Sequence, residues 1–149
     1  MNKDKYVQLI ESFSALLKKN GFSIFGCENE EVDLLEKKYG KLPEFYKIYL
    51  RSIGRDAGDF KAGTWMFYPE IDDINNETLD LMHQNHIIPP ENMFAFLMHQ
   101  GYTSLFFTDR EKDDPQIYCY TECEEIIDIG KTFSQCIEAD INEYLSCLN

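Results

Sequence analysis

The apolar residues of this chain change their spacing part-way along it, and that change limits what it can fold into. Tyr6, Leu9, Ile10, Phe13, Leu16 and Leu17 recur every three or four positions, the spacing of one helix face. Phe94 to Met98, Ser104 to Thr108 and Gln116 to Thr121 are instead short runs of aromatic and aliphatic residues. Turn formers separate them: Gln100-Gly101-Tyr102, then Asp109 to Pro115. That pattern is a meander of strands. Helices gathered before a run of strands give an α+β domain.

The boundaries follow from local chemistry. Gly21 stops the first helix, and Phe22 to Phe25 reads as a short strand. A second helix is expected over Asn29 to Tyr39. Glu30, Glu31 and Asp33 lie at its start and Lys37 and Lys38 at its end, an order that complements the helix dipole. Leu42-Pro43-Glu44 opens a third helix, with proline suited to its first turn. Gly54 closes that helix, and Arg55 to Gly63 reads as a polar loop. Thr64 to Tyr68 reads as a strand ending at Pro69. Glu70 to Asn76 reads as an acidic turn, followed by a short helix over Glu77 to Gln84. Ile87 to Pro90 must be extended. Glu125 to Asp128 is a fourth strand candidate in the meander, and a last helix begins near Lys131. The expectation is a single domain over residues 1–149 in two layers. Its sheet is antiparallel or mixed, with about five to six strands and helices packed on it.

Charge narrows the choice of partner. The chain carries 14 Lys plus Arg against 27 Asp plus Glu, a formal net charge of −13. Such a surface repels nucleic acid and anionic lipid and draws in basic proteins. Solubility alone is the plain alternative. Five cysteines, with no CxxC, suit free thiols in a reducing cytoplasm. No signal peptide and no membrane span is legible, and oligomeric state, a homodimer included, is left open.

Four blocks together resemble the SUKH superfamily, the Smi/Knr-like proteins. They are LEKKYGKLPEFYKIYLRS from Leu35 to Ser52, FAFLMHQGYTSLFF from Phe94 to Phe107, DDPQIYCY from Asp113 to Tyr120, and Thr132-Phe133-Ser134. They cover roughly residues 28–148 in register. One departure is Ser52-Ile53-Gly54-Arg55, where the family often has an Asn-Gly-Gly-like turn. The resemblance implies a bacterial immunity protein that binds and neutralises a cognate toxin, often a nuclease. Eukaryotic members are regulatory scaffolds, which is the first alternative. The superfamily shares no catalytic residues, so none is carried over, and neither an enzyme nor a cofactor is expected.

A basic toxin would be met by carboxylates and by aromatics beside them. The candidates are Asp56 and Asp59; Tyr68, Glu70, Asp72 and Asp73; Tyr102; Asp109, Glu111, Asp113 and Asp114; and Glu122 and Glu124. Trp65, inside a strand, reads as core. A second alternative is a metal-dependent enzyme using Asp80, His83 and His86, but spacing fixes no further ligand. Cys119 and Cys123 have no base paired with them in sequence, and no phosphate loop or hydrolase motif is present.

Overall fold

The computed structural model describes residues 1–148. It contains five α-helices and seven strands: α1 Lys3–Lys19, β1 Ile24–Phe25, α2 Asn29–Tyr39, α3 Glu44–Ile53, β2 Asp56–Ala57, β3 Thr64–Trp65, α4 Ile71–Gln84, β4 Phe94–His99, β5 Thr103–Phe107, β6 Gln116–Thr121, β7 Ile127–Thr132 and α5 Phe133–Ser146. A 3-10 turn, Tyr68–Glu70, leads into α4. Strands β3 to β7 form one sheet in sequence order, and every pairing in it is antiparallel. β1 and β2 make a separate two-stranded ribbon. The fold is α+β.

Side-chain alternation along the strands divides the sheet into two faces. On one face Phe94, Phe96, Phe107 and Ile117 pack under α1, α3 and α5. Tyr46 of α3 sits in the middle of that core, its ring 5.4 to 6.3 Å from those of Phe94, Phe96, Phe107 and Phe133. On the other face Ala95, Met98, Phe106 and Tyr120 pack against Ile74, Leu81 and Met82 of α4. The expected two layers are therefore three, because α4 covers the face the other helices leave.

Several expected elements end elsewhere. Pro43 is the N-cap of α3 rather than its first residue. The strand expected over Thr64 to Tyr68 stops at Trp65. Beyond it the chain turns inward: Met66 O accepts from Tyr49 Oη at 2.8 Å and Tyr68 N donates to Gly54 O at 2.8 Å. The acidic turn expected over Glu70 to Asn76 is mostly the first turns of α4. Asp72 and Asp73 there face the positive end of the helix dipole, which favours carboxylates. The fourth strand of the meander lies at Ile127–Thr132, two residues later than expected. Trp65, expected in the core, is 37% exposed.

Two polar side chains, Asn75 buried and Asp114 half-buried, hold this arrangement. Asn75 of α4 donates to Ala95 O and accepts from Ala95 N, both at 2.9 Å. β3 reaches only as far as Met98 and Trp65 along β4. The Asn75 amide thus takes the place of a neighbouring strand at Ala95.

Asp114 plays a comparable part for α5. Its carboxylate accepts from Ser134 N at 2.8 Å, Ser134 Oγ at 2.6 Å and Thr132 Oγ1 at 3.0 Å. A charged acceptor at a helix N-terminus is favoured by the orphan N–H groups and the dipole together. Asp114→Ala is expected to lower the unfolding free energy by about 2 to 4 kcal/mol, with Asp114→Asn milder because one acceptor remains. Urea titration followed by circular dichroism measures both. An alanine variant as stable as the parent would remove this role.

Arg110 ties three segments. Its guanidinium donates to Asn92 O at 2.7 Å, Tyr39 O at 2.8 Å, Lys41 O at 3.0 Å and Met93 O at 3.3 Å, and lies over the Phe94 ring. It fixes the β5–β6 loop against the end of α2.

Candidate functional site

The surface that gathers the most candidates runs along α2. The helix forms where it was expected because its charges suit its ends and Gly40 stops it. Val32 and Leu35 are buried and Tyr39 partly so, which turns Glu30, Asp33, Leu34, Lys37 and Lys38 outward. Beside the helix lie the β1–β2 ribbon, the Tyr68–Glu70 turn and the start of α4.

The groove between them has two joined parts. One, of about 640 Å³, is lined by Phe25, Gly26, Glu28, Glu31, Arg55, Asp56 and Pro69. The next, of about 230 Å³, is bounded by Leu34, Lys38, Tyr68, Pro69 and Asp72. A third depression, of about 310 Å³, continues past the end of α2 beside Lys41, Asp109 and Glu111. Phe25 and Leu34 are large apolar side chains left 55% and 60% exposed on this surface. Isolated exposed leucines are ordinary, but two large apolar groups on a carboxylate-lined groove are the composition of an interface core and rim.

The wall at Phe25–Cys27 is fixed to α3. Cys27 N donates to Leu50 O at 2.8 Å and Arg55 N donates to Phe25 O at 3.0 Å. Between them, a Cβ on Gly26 would stand 1.7 Å from Arg51 O. Only glycine allows so close an approach of two backbones.

Three cations on this surface, Arg55, Lys38 and Lys41, are already engaged, while Lys37 of α2 points outward. Arg55 pairs with Glu31 and lies 5.3 Å over the Tyr68 ring. Lys38 meets Asp72 at 2.8 Å, Asp72 also accepts from Tyr39 Oη, and Lys41 meets Glu111 at 2.8 Å. Bonds from Lys38 and Tyr39 hold the Asp72 carboxyl below its ordinary range, whereas burial raises that of Glu70. Asp72 therefore contributes stability that is full at neutral pH and lost on acidification, and Glu70 acts in the opposite sense. Asp72 is ionised and outward, while one oxygen of Glu70 is buried without a donor among the described residues.

The remaining candidates lie apart from the groove. Asp73 is exposed on α4, beyond Asp72. Asp59 accepts from Tyr144 Oη at 2.6 Å, near the end of α5. Tyr102 and Glu122 meet through Glu122 N donating to Tyr102 O at 2.9 Å, with Glu124 in the same exposed β6–β7 turn. Asp113 O accepts from Phe45 N, so its backbone braces α3. Asp114 is committed to α5, as described, and is not presented to a partner. Phe25, Glu28, Leu34 and Arg55 belong to the groove but were not among the candidates. Leu34 stands off the Val32–Leu35–Tyr39 stripe, and that offset is the one signal the sequence carried.

Among the described residues no three His, Cys, Asp or Glu side chains are placed to hold a metal. The alternative built on Asp80, His83 and His86 is therefore not assembled. No described helix is long and apolar enough to cross a membrane.

The thiols divide by burial. Burial pushes Cys27 and Cys136 up to about 12, with Glu31 and Asp140 adding to it respectively, while Cys123 and Cys147 are exposed. A disulfide-exchange reagent is expected to label Cys123 and Cys147 at once and Cys27 and Cys136 only on unfolding, because thiolates are the reacting species. Mass spectrometry of the labelled native protein checks this; early labelling of Cys27 would contradict it.

The profile of the SMI1 / KNR4 family (SUKH-1) matches residues 3–139. The chain belongs to that family. The match takes in α1, which the four sequence blocks did not reach, along with every element that lines the groove. Comparison with curated proteins and with solved structures gives no match. For this SUKH-1 chain the residues along α2 must therefore be argued from their own chemistry.

Proposed function

We propose that this SUKH-1 chain is an immunity protein that binds a basic bacterial toxin, a nuclease domain by preference, and blocks it by direct contact. The observation that carries the reading is the surface along α2. It combines exposed apolar anchors at Phe25 and Leu34 with carboxylates, and its Lys38, Lys41 and Arg55 are paired internally. A nuclease must hold phosphates, so its active face is basic. A net charge of −13 would speed the encounter with such a face and repel the nucleic acid substrate itself.

Co-expression with the toxin encoded beside it is expected to restore growth, and the purified pair should form a complex. The association rate should fall at least about tenfold between low and near-molar salt, where the screening length shrinks from roughly 30 Å to 3 Å. Recovery of a non-toxic partner with no rescue of growth would move the protein to the regulatory-scaffold class. An association rate indifferent to salt would remove the role given to its charge.

A further inference from the structure

We infer that the depression beside Trp65 is a docking subsite for an arginine side chain of a protein partner. Trp65 supplies the ring face, and Glu77 and Asp80 supply the charge. The inference rests on the reading of a basic partner and places a second contact for it, away from the groove along α2.

The pocket is made by the short edge strand. Trp65 lies directly opposite Met98, and directly opposed residues share a face of the sheet. That face is the one α4 covers, so the indole stands beside the helix. The depression there, about 320 Å³, is lined by Gly63, Trp65, Glu77, Met98, Gln100 and Gly101. A second depression of about 260 Å³ shares Glu77 and Gly101 and adds Asp80 and Gln84. Nothing lies within 4 Å of where a Cβ would stand on Gly63 or Gly101, so the rim is open.

Three properties select the occupant. The pocket holds no lysine or arginine of its own. Neither Glu77 nor Asp80 has an ion pair among the described residues, unlike Asp72, which is already taken by Lys38. The spacing of Asp73, Glu77, Asp80 and Gln84 puts them on one exposed stripe of α4. A cation over an indole face is attracted by the ring quadrupole, and indole is the best ring for it. Arginine fits better than lysine, because its planar guanidinium stacks on the ring while its edge donates to carboxylates.

Trp65 is the only tryptophan in the chain, so its emission and its indole N–H resonance report on this pocket alone. Acetyl-arginine amide is expected to shift both saturably, at millimolar concentration. Acetyl-citrulline amide, the same shape without charge, should bind at least about tenfold more weakly. Combining Glu77→Gln with Asp80→Asn should weaken the arginine response at least about tenfold. Both positions are exposed, so the fold is expected to survive, and circular dichroism checks it. Glu11→Gln, on the exposed face of α1, should leave the response unchanged. No saturable shift, an equal response to citrulline, or an unaltered double variant would each overturn the subsite. The titration needs no toxin. An intact arginine response with failed growth rescue would sink the immunity reading alone, and the reverse outcome would sink only this one.

Discussion

Asn75→Ala should lower the unfolding free energy by about 3 kcal/mol. The figure follows from two buried backbone groups of Ala95 left without partners, each costing roughly 1 to 3 kcal/mol. The Ala95 N–H and C=O bond to the Asn75 amide at 2.9 Å, and no strand lies beyond them. A third bond, from Asn75 Nδ2 to Ile71 O, is lost as well. For a chain of this length the melting temperature should fall by about 6 to 12 °C. Asn75→Asp separates packing from bonding, because it keeps the shape and an acceptor but loses the donor and buries a charge. It should be at least as damaging as alanine at neutral pH and recover on acidification, as protonation restores a donor. A melting point within about 2 °C of the parent for Asn75→Ala would mean that Asn75 does not close the sheet edge.

The second large effect is on binding. Phe25→Asp with Leu34→Asp should weaken the complex with the proposed toxin at least about 100-fold, or roughly 2.7 kcal/mol, because a few well-packed residues carry most interface energy. Both side chains are more than half exposed, and exposed substitutions usually change stability by no more than about 0.5 kcal/mol. The variant should therefore fold normally and fail to rescue growth. Neutralising the rim at Asp56→Asn should slow association and flatten its salt dependence with little change in the dissociation rate. Calorimetry and surface-based kinetics read the two effects apart. A folded double variant that binds within threefold of the parent would exclude the α2 groove as the interface.

The fold was legible where local and tertiary preferences agree. Helix α2 begins and ends at the expected residues because end charges, the buried stripe and Gly40 all point the same way. The first turns of α4 were not legible, because Asp72, Asp73, Asn75 and Asn76 are residues that suit turns. Burial of Ile71, Ile74 and Thr78 overrides that preference. Met66 to Tyr68 have strand-forming side chains, but hydrogen bonds to Tyr49 and Gly54 draw them out of the sheet. Strand β7 begins late and is bent by a turn in which Asp128 Oδ1 accepts from Gly130 N at 2.8 Å. Gly130 has a φ of 73° there, a conformation readily reached by glycine.

The candidate site was legible by residue type and not by place. Carboxylates announce themselves, so Asp56, Asp72, Asp109 and Glu111 could be named in advance. Which of them share a surface depends on contacts distant in sequence, such as Arg110 with Tyr39 and Lys41. Asp114 illustrates the opposite hazard, a carboxylate in an acidic loop that turns inward to a helix twenty residues later. An exposed apolar side chain such as Phe25 leaves almost no local trace, since a phenylalanine in a short strand is ordinarily buried.

The close approach at Gly26 bears on how recognition can be rewritten. Because the backbone of that wall rests on α3, no replacement of Phe25, Glu28 or Asp56 has room to shift it. If the groove along α2 is the interface, the protein should behave as a fixed frame with an interchangeable rim. Proteins of this build with different partners should superimpose along α2 and diverge only in the side chains they hold out. Transplanting those few side chains between two of them should carry the choice of partner across, and Gly26 should be the position at which no exchange is tolerated.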